Sequence, residues 1–154
     1  MASIVGFGKA CEIAKANLES NSKHASHLME LLEHGILNRS KDVFVNGHPE
    51  NRLPGTLNMS FAGIEGETLL MALDLEGIAV SLGSACTAGS TDPSHVLLAM
   101  GRSTPDALSS IRFSVGPTNT EQEMKQTINV LTLAVERLRG FEAKSYGEKS
   151  YGEK

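Results

Sequence analysis

Glu67-Thr68-Leu69-Leu70-Met71-Ala72-Leu73-Asp74-Leu75-Glu76-Gly77-Ile78-Ala79-Val80-Ser81 changes its apolar period part-way along, and Gly77 stands at the change. Leu69, Leu70 and Leu73 recur at helical spacing, so Glu67 to Glu76 reads as a helix closed by Gly77. Ile78 to Ser81 then reads as a strand. Directly after it comes Leu82-Gly83-Ser84-Ala85-Cys86-Thr87-Ala88-Gly89-Ser90, a cysteine set among small residues. Glycines and alanines let a substrate approach such a thiol, and Ser84, Thr87 and Ser90 offer hydrogen bonds to a thiolate or ligand. On composition alone, Cys86 fits a small buried hydrophobe at a strand end better than a nucleophile.

The other strands lie on both sides of this segment. Val43-Phe44-Val45 is a short strand candidate ahead of a run of turn formers, Asn46 to Asn51. Leu57, Met59 and Phe61 alternate with Asn58 and Ser60, as in a half-buried strand. Ile111, Phe113 and Val115 alternate with Arg112 and Ser114, which puts Arg112 on the face opposite the apolar trio. Between Ser3 and His34, Phe7, Cys11, Ala14, Leu18, Ala25, Leu28, Met29 and Leu32 trace a long helix, with a break expected near Asn21 and a stop at Gly35. Asp92-Pro93 predicts a short helix from Ser94 to Met100 ended by Gly101, and Thr104-Pro105 repeats that start. Thr120 and Glu123 form a capping box ahead of Met124, Ile128, Leu131, Val135 and Leu138. The expected architecture is α+β, a small, mainly antiparallel sheet built near Val43, Leu57, Ile78 and Ile111 and covered on one face by the long first and last helices. Residues 1–140 form its single domain, and residues 141–154, which end in Ser-Tyr-Gly-Glu-Lys repeated twice over 145–154, read as a polar, disordered tail.

Composition narrows the function. A chain of 154 residues is large enough for one core without metal or disulfide staples. Its net charge of −4 gives no support for binding nucleic acid or an anionic membrane. Two cysteines far apart, with no signal peptide or long apolar span, fit a cytoplasmic or organellar-matrix protein that is not secreted. Cys11, on a helical apolar pattern, reads as a packing residue. Gly6-Phe7-Gly8 lacks the third glycine of a dinucleotide loop, while His27, Glu30 and His34 read as a solvated polar face and His95 as structural. Arg52 reads as an ordinary surface charge. Arg112 reads either as a strand-surface ion pair or as a carboxylate clamp.

Three blocks resemble the C-terminal part of the NifS/IscS-type cysteine desulfurases: Arg52-Leu53-Pro54-Gly55-Thr56-Leu57-Asn58-Met59-Ser60-Phe61, Gly66 through Cys86, and Ser110-Ile111-Arg112-Phe113-Ser114-Val115-Gly116. The resemblance implies the small domain of a fold-type I enzyme that uses pyridoxal phosphate (PLP). It makes Cys86 the nucleophile that takes sulfur from L-cysteine as a persulfide, leaving L-alanine, and Arg112 the residue that holds the substrate carboxylate. The long first helix would join this domain to a larger one, so part of its apolar face would be shaped for that partner. In the family the large domain supplies a Schiff-base lysine that follows a histidine. None of the eight lysines here does so, since Ser22-Lys23-His24 reverses the order. The chain is therefore expected to be inactive alone, to act with a PLP-binding large domain, and to pass sulfur to an acceptor or iron–sulfur scaffold protein, with a homodimer also compatible. The alternative is a non-catalytic persulfide carrier or interaction module derived from a desulfurase. Family members commonly have serine where Leu82 and Ala88 stand and arginine where Pro117 stands, departures that remove hydroxyls and a charge from around the cysteine and the cofactor-facing region.

Overall fold

A computed structural model of the chain describes residues 1–82 and 92–149. Helix α1 (Ala2–Leu37) leads into strands β1 (Val43–Asn46) and β2 (Thr56–Phe61), followed by α2 (Gly66–Leu75) and β3 (Ser81–Leu82). After the cysteine segment come α3 (His95–Ala99), α4 (Thr104–Leu108), β4 (Ser110–Ser114) and α5 (Glu121–Lys149). The strands form one antiparallel sheet in the order β1-β2-β4-β3, so the α+β class expected from the sequence is the one found.

The sheet has two chemically distinct faces, because side chains alternate along each strand and cross-strand partners share a face. Leu57, Met59, Phe61, Ile111 and Phe113 are buried on one. They pack with Leu28, Leu32 and Ile36 of α1, Leu69 and Leu73 of α2, and Met124, Ile128, Leu131 and Val135 of α5. Asn46, Asn58, Ser60, Ser110 and Arg112 alternate with the apolar residues on the other face.

Several local expectations change in the folded chain. Helix α1 is unbroken at Asn21, and neighbouring polar side chains bond back to its carbonyls: Asn17 Nδ2 donates to the Ile13 carbonyl at 2.9 Å and Ser20 Oγ to the Asn17 carbonyl at 3.0 Å. Gly35 does not stop the helix. A Cβ there would overlap Ile128 Cδ1, so the missing side chain at Gly35 lets α1 and α5 pack closely. Cys11 is exposed rather than packed, as is every residue from Met1 to Ser20. Ile78 to Val80 are not strand, because the Ile78 amide is drawn back to the Leu73 carbonyl beside Gly77 at φ +76°; the ladder to β4 begins only at Ser81. Ser94 is extended at φ −56°, ψ 116°, so helical geometry starts at His95 and not at Ser94. Arg52 is no ordinary surface charge: its guanidinium pairs with Glu33 of α1, with side chains only 25% and 16% exposed. The capping box forms as expected, with Thr120 N donating to Glu123 Oε2 at 2.7 Å and Glu123 N to Thr120 Oγ1 at 3.3 Å. Helix α5 then runs through Gly140 as far as Lys149.

Side chains on α5 tie the layers together. Arg139 donates to the carbonyls of Lys41, Asp42 and Ala62, clamping the start of β1 to the end of β2. His24 of α1 donates to the Asn119 carbonyl at 2.9 Å, and His27 donates to Glu121 at 2.9 Å. The His27 hydrogen bond and then Lys125 hold the Glu121 carboxyl below its ordinary value of 4.5. A depressed folded-state value favours the charged form, so its contribution to stability is present above the unfolded value and is lost as pH falls through the folded one. Thermal unfolding followed from about pH 6 to about pH 3 should therefore show an acid-side loss that is smaller in Glu121→Gln.

Two glycines give opposite expectations. A Cβ on Gly66 would lie 2.6 Å from the Leu108 carbonyl oxygen and 3.2 Å from that of Ser110, main-chain atoms that cannot swing aside. A Cβ on Gly140 meets nothing. In urea unfolding, Gly66→Ala should lower stability by about 1–3 kcal/mol. Gly140→Ala should raise it by about 0.5–1 kcal/mol, since alanine has the higher helix propensity.

Candidate functional site on the polar face of the sheet

Helix α4 roofs part of the polar sheet face. The carbonyls in the last turn of a helix have no intrahelical partner, and here serine hydroxyls supply one. Ser60 Oγ of β2 donates to the Asp106 carbonyl at 2.8 Å, Ser109 Oγ donates to the same oxygen at 3.0 Å, and Ser110 Oγ of β4 donates to the Ala107 carbonyl at 2.8 Å. All three serines are buried. Ser103 caps the other end of α4, its Oγ accepting from the Asp106 amide at 3.3 Å and donating to the Asp106 carboxylate at 2.7 Å. Arg102, just before α4, donates to the Val45 carbonyl at 2.8 Å and fastens this roof to β1.

One row further along the strands the roof ends, and a polar row crosses all four strands: Asn46 opposite Asn58, Asn58 opposite Arg112, and Arg112 opposite Ser81. Asn58, Arg112 and Ser81 are half-buried. Asn46 Nδ2 donates to Asn58 Oδ1 at 2.6 Å and to Ser60 Oγ at 2.8 Å. Arg112, on an interior strand, makes neither an ion pair nor a side-chain hydrogen bond among the described residues. A half-buried guanidinium with its donors unused is suited to a planar, two-oxygen anion such as a carboxylate. The surface-ion-pair alternative for Arg112 has no carboxylate partner among the described residues.

The cysteine is a different case. Cys86 and the small residues around it, Ala88 included, lie outside the described residues. The chain enters that segment from Ser81–Leu82, and Ser81 is the cross-strand neighbour of Arg112. Among the described residues no group of His, Cys, Asp and Glu is arranged to hold a metal ion. No helix is long and apolar enough to cross a membrane.

Sequence reasoning identified Arg112 but passed over its neighbours. Asn58 and Ser60 carried a signal, since both stand at the polar positions of an alternating strand. Asn46 looked like the first residue of a turn; it belongs instead to the last rung of β1 and is buried.

These features define a class of small α+β domain that turns one sheet face to a helical core and carries a polar row with an arginine on the other. The sequence profile of the aminotransferase class-V family matches residues 1–127. Over 136 residues the chain is 47% identical to a cysteine desulfurase of Pongo abelii, covering 88% of this chain and 29% of that protein. It is 42% identical to the cysteine desulfurase IscS of Rickettsia akari, covering 88% and 33%. The structure of a NifS-like protein from Rickettsia africae superposes with a TM-score of 0.75 at 30% identity, over 86% of this chain and 34% of that one. The chain belongs to the aminotransferase class-V family, and it spans about a third of the length of these relatives.

The cysteine desulfurases of this family use PLP, which needs a lysine at the reacting centre. The described lysines lie on α1 (Lys9, Lys15, Lys23), in the link to β1 (Lys41) and on α5 (Lys125, Lys144, Lys149), and none is on a strand. The strands therefore place no described lysine in the row beside Arg112 to hold PLP, and no step is routed through it.

The hydroxyl of Ser60 is the joint between α4 and the polar row. Ser60→Ala leaves the Asn46 amino group and the Asp106 carbonyl each short of a partner. Urea unfolding should show a loss of about 1–3 kcal/mol.

Proposed function

We propose that this chain is the C-terminal small domain of a cysteine desulfurase, with Arg112 holding the α-carboxylate of L-cysteine and Cys86 receiving its sulfur. The observation that carries this reading is the half-buried Arg112, without an ion pair or side-chain hydrogen bond among the described residues and set on an interior strand of a chain whose relatives are cysteine desulfurases. A guanidinium there fixes one end of the amino acid by two parallel hydrogen bonds, so the side chain of the substrate takes a defined direction. Cys86 follows Leu82 by four residues, and Leu82 follows the cross-strand neighbour of Arg112. The overall transfer balances as L-cysteine plus the Cys86 thiol giving L-alanine plus the Cys86 persulfide. The Cβ–S bond of the substrate is broken, a S–S bond forms on Cys86, and the proton count on the two sides is equal. Segments rich in glycine and small residues suit a thiol that must collect sulfur in one place and release it in another. The persulfide is then handed to an acceptor thiol, an iron–sulfur scaffold protein being the partner class implied. The lysine chemistry that loosens the Cβ–S bond comes from residues other than those described.

The chain incubated with PLP and L-cysteine should release no alanine. With L-cysteine and an active desulfurase as sulfur donor, mass spectrometry should find the added mass of one sulfur atom on Cys86, and Cys86→Ser should abolish it. An unmodified Cys86, or equal loading of the exposed Cys11, would overturn its role as the acceptor. In a chimera where residues 1–140 replace the matching part of a cysteine desulfurase, Arg112→Ala should raise KM for L-cysteine by about ten- to a hundredfold. An unchanged KM would remove Arg112 from the site, and sulfur loading without any dependence on Arg112 would favour the carrier reading.

A further inference from the structure

The hydrogen bonds on the polar sheet face run in a fixed direction, and that direction sets the chemistry beside Arg112. The Asp106 carbonyl has no hydrogen and can only accept. Ser60 has one hydroxyl hydrogen, and donating it to Asp106 at 2.8 Å leaves its oxygen free to act only as an acceptor. The group 2.8 Å away on Asn46 must then be its amino group, Nδ2. The second hydrogen of that amino group goes to Asn58 at 2.6 Å, so the atom of Asn58 facing β1 is the carbonyl oxygen Oδ1. The two limbs of a side-chain amide diverge, so the Asn58 amino group is turned away from Asn46. It makes no hydrogen bond among the described residues, and on that side of β2 the strand partner of Asn58 is Arg112.

This arrangement leaves one buried polar atom without a partner among the described residues. Asn46 is 8% exposed, and its Oδ1 is buried with no partner among the described residues. Buried acceptors are seldom left in this state, because each costs a desolvation that no bond returns. The relay accepts that cost while locking the amide of Asn58 with its donors outward.

We propose that Asn58 is the second donor of the carboxylate site: its Nδ2 group binds one oxygen of an amino-acid α-carboxylate while the Arg112 guanidinium binds the carboxylate from the neighbouring strand. The proposal rests on the assignment of Arg112 to the substrate carboxylate. A carboxylate offers about four lone-pair sites, enough for the fork of an arginine and one amide hydrogen together. A neutral amide suits the position better than a charged group would. Lysine would repel the guanidinium, and aspartate would pair with it and occupy the anion site. Asn46 and Ser60 are positioning residues in this scheme, acting only through the orientation they impose on Asn58.

The test uses the whole 154-residue chain labelled with ¹⁵N and titrated with L-alanine, with alaninamide, which lacks the carboxylate, as control. L-Alanine should move the Asn58 Nδ2 and Arg112 Nε resonances together, and alaninamide should move neither. Asn58→Ala should weaken L-alanine binding about tenfold, and the near-isosteric Asn58→Asp should weaken it at least as much. Ser60→Ala should weaken it less and should broaden or split the Asn58 Nδ2 signal, which a merely structural role would not do. If Arg112 Nε responds while Asn58 Nδ2 stays still and both Asn58 variants bind as the parent does, Asn58 is not a donor and the assignment of Arg112 survives. If Arg112 Nε does not respond to the carboxylate, both assignments fall.

Discussion

The register between β2 and β4 is the constraint on which the rest depends. Leu57 opposite Phe113 and Met59 opposite Ile111 set the apolar rungs, and between them Asn58 stands opposite Arg112. Strand side chains alternate with period two, so a slip of one residue would carry Arg112 into the helical core and Ile111 out to water. An unpaired charge in that core would cost several kcal/mol, far more than one rung of sheet returns. The packing that fixes the fold therefore also fixes which residues stand on the polar face. The core and the candidate site are specified by the same ladder, on its two sides.

A sheet with one polar face must still satisfy the groups it buries there, and α4 does this economically. It is only five residues long, too short to hold itself by its own hydrogen bonds. Ser103 closes its first turn and three serines from the sheet and its border close its last. The roof stops at the Ser60–Ser110 row, and the next row, Asn58–Arg112–Ser81, is left half-open. The orientation of the amide within the candidate site is thus set by the last hydroxyl under the roof.

Much of this was legible in the sequence because it follows from period alone. The alternation of Leu57 to Phe61 and of Ile111 to Val115 places Arg112 on the polar face, and Thr120 with Glu123 marks the start of the last helix at its true position. What was not legible depends on contacts distant in sequence. Gly35 looks like a helix stop until Ile128 is seen against it, and Arg52 looks like a surface charge until Glu33, nineteen residues earlier, is found beside it. Asn46 is the clearest case. It sits in a run of turn formers, yet it becomes the buried hinge of the polar relay because β1 pairs with β2 as far as Asn58. A strand of four residues that ends in asparagine gives no local pattern to read.

Helix α1 shows the same dependence from the opposite side. One stripe at alternating three- and four-residue spacing runs from Ile4 through Phe7, Cys11, Ala14 and Leu18 to Ala25, Leu28 and Leu32, but only the last three are buried. The exposed half has no buried residue, and the pairs Lys9–Glu12 and Glu19–Lys23 add only about 0.2–0.5 kcal/mol each. With Gly6 and Gly8 in its first turns, such a segment would be a marginal helix in isolation. It is continued from a half already nucleated against β1, β2 and α5, so each added turn meets only the cost of propagation. The core that fixes the register of the sheet thus also supports the helix that extends beyond it.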